Sequence, residues 1–101
     1  MLSINADPTF DMEVKIPVPG KGCHPVNFTF KHLKKSDFEK LVDQSKEEAD
    51  EKIVSKLVKD WDFQEEYTQS NLKKMLDSYP SAAYAIFESY IAEYARVREK
   101  N

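Results

Sequence analysis

The residues that could carry chemistry begin with a cysteine next to a histidine. Cys23 and His24 are adjacent, and a thiol with an imidazole is a pairing used in nucleophilic catalysis. Adjacent side chains rarely point at each other, however, and no third group that would orient the imidazole can be identified. The same two residues and His32 could also be metal ligands. They are at most three cysteine or histidine ligands, without a repeated spacing, which is too few for a typical zinc site. We therefore expect no catalytic residue, no metal site and no cofactor.

A second stretch places acidic residues around two aromatic ones. Asp60, Asp62, Glu65 and Glu66 surround Trp61 and Phe63. A glycoside hydrolase needs two carboxylates held across a pocket. A calcium loop needs acidic or amide residues at alternating positions, a glycine and a closing glutamate. Neither pattern is present, so this stretch is interpreted as a solvated loop that its aromatic residues anchor.

The composition is typical of one small acidic domain. The chain has 101 residues, of which 33% are charged, and a net charge of −3. This charge argues against non-specific binding to nucleic acid or to an anionic membrane, and the basic patch at residues 31–35 is too small for a nucleic-acid surface. No apolar run is long enough to cross a bilayer. A single cysteine cannot form an internal disulfide, which fits a reducing cytoplasm.

The N-terminal third of the chain predicts a β-hairpin. Residues 1–10 show little periodicity and are expected to be a flexible lead-in. Residues 11–31 contain two runs in which apolar side chains recur at every second position, as one face of a strand requires. The turn-rich residues 19–25 connect the runs, so we expect a hairpin with a long loop. The runs are Met12, Val14, Ile16 and Val18, followed by Val26, Phe28 and Phe30.

Residues 36–98 predict three or four helices. Ser36 and Ser45 each have a glutamate three residues later, which is the capping-box spacing. We interpret Ser45 as a break, with a second helix over residues 46–60, although one long helix fits almost as well. Thr68 is the expected N-cap of the next helix. The predicted fold is α+β, mainly α: one domain over residues 1–101, with an N-terminal β-hairpin followed by a bundle of three to four helices.

The helical periodicity also predicts which side chains form the core. Residues 78–97 carry the longest apolar run, and Phe87 lies in the middle of its stripe. Trp61 is expected to close the loop after the second helix onto the bundle. The predicted core residues are Phe38, Ile53, Leu57, Trp61, Leu72, Leu76, Phe87 and Ile91.

Aromatic residues make up 12% of the chain. In a chain without a recognisable reactive constellation, this content favours binding over catalysis. An isolated hairpin is marginal in water, so its apolar face needs helices or the strands of another copy. We expect the hairpin to mediate self-association and the helices to bind a partner. The predicted partner-binding residues are Val26, Phe28, Phe30, Tyr84 and Tyr94.

Five stretches, taken in order, resemble a known family. They are VKIPVPGKG (Val14–Gly22), VNFTFKH (Val26–His32), VKDWDF (Val58–Phe63), the segment Tyr67–Tyr94, and ARVREKN (Ala95–Asn101). With them the chain is similar to the tail assembly chaperones of bacteriophages with long, non-contractile tails, over most of its length from Val14 onward. None of these motifs is a catalytic signature.

The resemblance implies a role without catalysis. Chaperones of this family bind the long, aggregation-prone tape measure protein before the tail tube polymerises around it, and they are absent from the finished virion. A ribosomal frameshift in many such phages adds a C-terminal domain that helps to recruit the tail tube protein, and the present chain looks like the short product. The resemblance thus implies a homo-oligomer in the host bacterial cytoplasm, whereas the expectation that it binds neither nucleic acid nor membrane comes from its charge and its lack of a long apolar run. The alternative function, from another functional class, is that of a small intracellular adaptor or regulatory module that binds one folded partner.

Overall fold

The computed structural model describes residues 1–99, so the last two residues of the ARVREKN motif lie outside it. The chain forms three strands and four helices over these residues: two strands come first, and the third strand lies between two pairs of helices. The elements are β1 (Thr9–Val18), β2 (Gly22–Lys31), α1 (Lys35–Gln44), α2 (Asp50–Leu57), β3 (Val58–Trp61), α3 (Gln69–Ser78) and α4 (Ala82–Glu99).

Strands β1 and β2 form a long antiparallel hairpin in which Val14 pairs with Val26. The turn is short: the amide of Lys21 donates to the carbonyl of Val18 at 2.9 Å. Gly20, at the third position of this turn, has a φ of 79° that only glycine adopts without strain. The expected long loop is therefore wrong, because the residues from Gly22 onward already belong to β2.

The prediction of a hairpin followed by a helical bundle is also wrong, because a third strand completes the sheet. Strand β3 pairs antiparallel with β2, and the sheet order is β1–β2–β3. Asp62 extends this pairing: its amide donates to the Asn27 carbonyl at 3.1 Å, and its Oδ1 accepts from the Asn27 amide at 2.9 Å. The fold is α+β, with a sheet and helices that share one core.

The helices cover one face of the sheet. Helix α4 packs against β1, and α2 packs against β2 and β3. The side chains on this inner face are buried, whereas those at the intervening positions of β1, such as Asp11, Glu13 and Lys15, are exposed. The Thr29 hydroxyl donates to Asp11 Oδ1 at 2.8 Å on the outer face. The buried strand residues are Val14, Ile16, Val26, Phe28, Phe30 and Val58.

The predicted break between the first two helices is confirmed, but the capping boxes are not. Helix α1 ends at Gln44, and α2 begins at Asp50. Lys34, not Ser36, is the N-cap of α1, and no side chain caps it. Ser45 follows the end of α1 and donates its hydroxyl to the carbonyl of Val42 at 2.6 Å. The second helix is shorter than the expected residues 46–60 because the chain enters β3 at Val58.

The cap predicted at Thr68 is confirmed, and its contribution can be measured. Thr68 Oγ1 accepts from the amide of Asn71 at 3.0 Å at the start of α3. We expect Thr68→Ala to lower the free energy of unfolding by about 1 kcal/mol, because it leaves this amide without its partner. Urea denaturation measures the change. Ser36→Ala, at a serine that does not cap α1, is the control; a loss as large as that of Thr68→Ala would contradict the assignment.

The buried side of α4 is rotated from the predicted one. Ala82, Ile86 and Tyr90 are each 0% exposed. Phe87 and Ile91 are half-buried, on the flank of this face. Among the other predicted core residues, Ile53, Leu57 and Leu72 are buried, and Phe38, Trp61 and Leu76 pack against the core with part of their surface in solvent.

Candidate partner-binding surface

The strand residues predicted to bind a partner lie inside the protein. Val26 is 5% exposed, Phe28 1% and Phe30 0%. Their faces are covered by this chain's own helices, and Phe30 packs edge-on against Tyr90 of α4 at a centroid distance of 5.4 Å. The prediction that this face of the hairpin mediates self-association is therefore corrected. It failed because the alternating pattern identifies the apolar face without identifying what covers it.

Tyr94, also predicted to bind a partner, is engaged within the chain. Its ring stacks on Phe38 of α1 at 4.3 Å, and its hydroxyl donates to the carbonyl of Leu33. Tyr90, one turn earlier, donates its hydroxyl to the Lys31 carbonyl at 2.6 Å and accepts from the Leu33 amide at 3.0 Å. The two tyrosines thus hold the connection between β2 and α1 against α4.

Burial raises the pKa of Tyr90 well above the ordinary tyrosine value, and the hydrogen bond to Tyr94 raises it further. Burial also raises the pKa of Tyr67, and the charge of Asp60 adds to the effect. Tyr67 donates its hydroxyl to the carbonyl of Val58 at 3.0 Å. Both pKa shifts come chiefly from burial of hydroxyls that bond the backbone of another element, which is a structural role.

Tyr84 lies on the surface, with 69% of its area exposed. Phe87 and Ile91 follow it at spacings of three and four residues, so the three side chains lie on one side of α4. The latter two are half-buried. We call Tyr84, Phe87 and Ile91 the α4 stripe. It is a narrow apolar strip beside the buried face, with a size and spacing that suit contact with an amphipathic helix.

A groove lies between β3 and α3. It has a volume of about 420 Å³ and is lined by Trp61, Phe63, Glu65, Asn71, Lys74, Met75, Ser78 and Tyr79. The indole Nε1 of Trp61 donates to the carbonyl of Glu65 at 2.8 Å, and its ring meets those of Phe63 and Tyr67 edge-on, each at 4.8 Å. These contacts fix the aromatic wall of the groove. Trp61 thus shapes this surface while packing against the core.

A second groove of about 610 Å³ adjoins the first beside the β1–β2 turn. The two grooves share Phe63, Glu65 and Tyr79. We call the second one the turn groove. Sequence reasoning missed Tyr79, which stood out only as an aromatic residue before Pro80. The turn groove is lined by Ile16, Val18, Lys21, Cys23, His24, Pro25, Val26, Asp62, Phe63, Gln64, Glu65 and Tyr79.

The residues that could carry chemistry are not assembled into a reactive site. Cys23 and His24 are consecutive residues of β2, so their side chains point to opposite faces of the strand. Within residues 1–99, no group of three or more His, Cys, Asp or Glu side chains is placed to hold a metal ion. No helix in that part of the chain has the length and apolarity needed to cross a membrane.

A family model described as phage tail assembly chaperone matches residues 1–101, the whole chain. No curated protein and no solved structure matches the chain significantly.

Proposed function

Because the chain belongs to the phage tail assembly chaperones, we propose that it binds the tape measure protein and keeps it soluble until the tail tube polymerises around it. Binding without catalysis is sufficient for this role. In addition to family membership, the structural observation that supports client binding is the α4 stripe, where Tyr84 presents an aromatic ring to solvent.

The stripe supports the proposal through its geometry. A client that is a long helical protein presents apolar side chains along one side of each helix. Residues spaced by three and four on α4 match that periodicity, so the two helices can pack along each other. Tyrosine is well suited to such a contact, since its ring buries apolar area while its hydroxyl stays hydrated.

The groove between β3 and α3 provides a second place for client side chains. Met75 lies at its base and is 6% exposed, and methionine adapts to differently shaped apolar partners. Lys74 and Glu65 add one charge of each sign to its lining. A surface of this kind accepts apolar segments without demanding one sequence, as a chaperone for a long and varied client requires.

The same proposal includes the location of the chain, its self-association and its relation to the tail tube protein. The chain acts in the host bacterial cytoplasm and does not remain in the mature virion. It self-associates, and a frameshifted longer form provides most of the contact with the tail tube protein.

Co-expression with the tape measure protein tests the proposal. We expect the wild-type chain to move the client into the soluble fraction and to be recovered with it. Tyr84→Glu should weaken the binding roughly tenfold, because it places a charge in an apolar contact. Ala92→Glu, which adds the same charge at another exposed position of α4, is the matched control and should bind normally.

A tape measure protein that is equally insoluble with and without the wild-type chain would exclude the proposed function. If the two variants instead lost binding to the same degree, the chaperone role would stand, but the α4 stripe would not be its surface.

A further inference from the structure

Strand β1 is an edge of the sheet. The order β1–β2–β3 leaves one long side of its 10 residues, Thr9–Val18, without a neighbouring strand in residues 1–99. Free strand edges pair readily with other strands, and proteins usually keep them short or interrupt them. Pro17, which has no amide N–H to donate, interrupts this edge only near its end. Most of the edge therefore remains able to pair with another strand.

The hydrogen bonds of β2 show which backbone groups of β1 point to the free edge. The amide and the carbonyl of Asn27 both bond Asp62, on the side away from β1. The pair of Glu13 with Asn27 therefore exchanges no hydrogen bond within the hairpin. Because bonded and non-bonded pairs alternate in an antiparallel ladder, the amides and carbonyls of Asp11, Glu13 and Lys15 point outward.

The charged side chains at these positions complement a second β1 strand in one register. Antiparallel pairing can place Glu13 of one copy opposite Lys15 of the other, and two-fold symmetry repeats this pair. Both residues direct their backbone groups to the free edge, so each pair can also exchange backbone hydrogen bonds. A shift of the register by two residues in either direction places Glu13 opposite Glu13 or Lys15 opposite Lys15. The charges that protect this edge from indiscriminate pairing thus permit one register with a second copy.

The inner face of the sheet fits the same register. Met12 is half-buried on this face of β1, and Val14 and Ile16 are buried. Residues that lie opposite each other on neighbouring strands point to the same face of a sheet. In the register above, Met12 lies opposite Ile16 of the second copy, and Val14 lies opposite its own counterpart. The apolar side chains would therefore continue from one copy to the next without a polar residue between them.

We propose that β1 of one copy pairs antiparallel with β1 of a second copy, with Glu13 opposite Lys15, so that the two sheets form one continuous sheet. The contact is isologous and closes as a dimer. It uses the edge of the hairpin, whereas the apolar face stays covered by the helices of its own chain. The inference rests on the self-association included in the proposed function and names its interface, which does not involve the client.

An exchange of charges tests the pairing. Glu13→Lys places lysine opposite lysine in both pairs of the dimer, and Lys15→Glu places glutamate opposite glutamate. Each variant alone should therefore associate about tenfold more weakly than the wild type in sedimentation, or more weakly still. An equimolar mixture of the two variants again pairs unlike charges, so heterodimers should form with about the wild-type affinity. A tag on one variant identifies the heterodimer by its mass.

The fold of the monomer should be unaffected by these changes, because both side chains are exposed and lie opposite the uncharged Asn27 and Pro25 of β2. Circular dichroism checks this. Glu88→Lys and Lys40→Glu are the matched controls, since they make the same changes of charge at exposed positions outside β1. Both controls should associate as the wild type does. If they weakened association as much as the β1 variants, net charge and not the register would govern it, and the proposal would be overturned.

Amide hydrogen exchange locates the interface. The amides of Glu13 and Lys15 should be protected from exchange in the associated wild type and should lose this protection in Glu13→Lys. The amide of Val14, which points to β2, should stay protected in both. A wild-type chain that is monomeric at all concentrations, a mixture without heterodimers, or association that leaves the amides of Glu13 and Lys15 unprotected would contradict the proposal. No client is present in these experiments, so co-expression would still decide client binding independently.

Discussion

Truncation of Phe30 to alanine is expected to lower the free energy of unfolding by about 3–5 kcal/mol. The side chain is 0% exposed, and its ring lies near those of Phe10, Phe28 and Tyr90 at 5.6, 5.8 and 5.4 Å. These rings belong to β1, β2 and α4, so the cavity would open where the sheet meets its covering helix. A domain with a total stability of about 5–15 kcal/mol would lose a large part of it.

Urea denaturation of the purified variant measures this loss. Phe87→Ala is the matched control, because it removes the same side chain from a half-buried position on the flank of α4. We expect the control to lose roughly half as much or less, since less apolar area is withdrawn from the core. Equal losses of stability in the two variants would contradict the assignment of Phe30 to the fully buried core.

Replacement of Tyr90 by phenylalanine is expected to be the next most costly of these changes, at about 1–3 kcal/mol near neutral pH. The hydroxyl bridges the Lys31 carbonyl and the Leu33 amide. The variant keeps the ring but leaves these backbone groups without that partner. Tyr84→Phe, which removes the hydroxyl of an exposed tyrosine on the same helix, should have almost no effect.

The difference between wild type and Tyr90→Phe should also shrink in alkali. Burial raises the pKa of Tyr90 in the folded state, whereas an unfolded tyrosine ionises near pH 10. Above that pH the unfolded chain therefore loses its proton first, and the stability that the neutral hydroxyl provides is progressively lost as the pH rises toward the folded pKa. Denaturation curves at pH 8 and near pH 11 test this. A difference that stayed constant would contradict the assignment of the raised pKa to Tyr90.

The hairpin could be predicted from sequence because its signal is local. Alternation from Met12 to Val18 and from Val26 to Phe30 matches the buried face that the structure shows. Strand β3 could not be predicted in the same way. It has four residues, too few for alternation to be recognised, and it continues directly from the apolar pattern of α2. Its pairing with β2 is a long-range contact that decides between helix and strand where local preference does not.

The surface was harder to predict than the fold. On α4, apolar residues occupy more than half of the circumference, so periodicity alone allows either Phe87 or Ile86 to face the core. Packing against β1 selects Ile86 and leaves Phe87 at the edge. The turn groove joins residues from β1, β2 and the segment after β3. No local pattern brings these together, which is why the sequence indicated binding without locating this groove.

In residues 1–99 no helix packs on the outer face of the sheet, and along β1 this face carries the charged side chains Asp11, Glu13 and Lys15, two negative and one positive. If a client binds at α4 as proposed, this hydrated face stays in contact with water, because α4 packs on the other face of the sheet. Two such complexes that meet in solution would then present charged strands to each other instead of apolar helices. Mixed charges bind water strongly and build no large field of one sign, so we expect this face to keep the complexes dispersed.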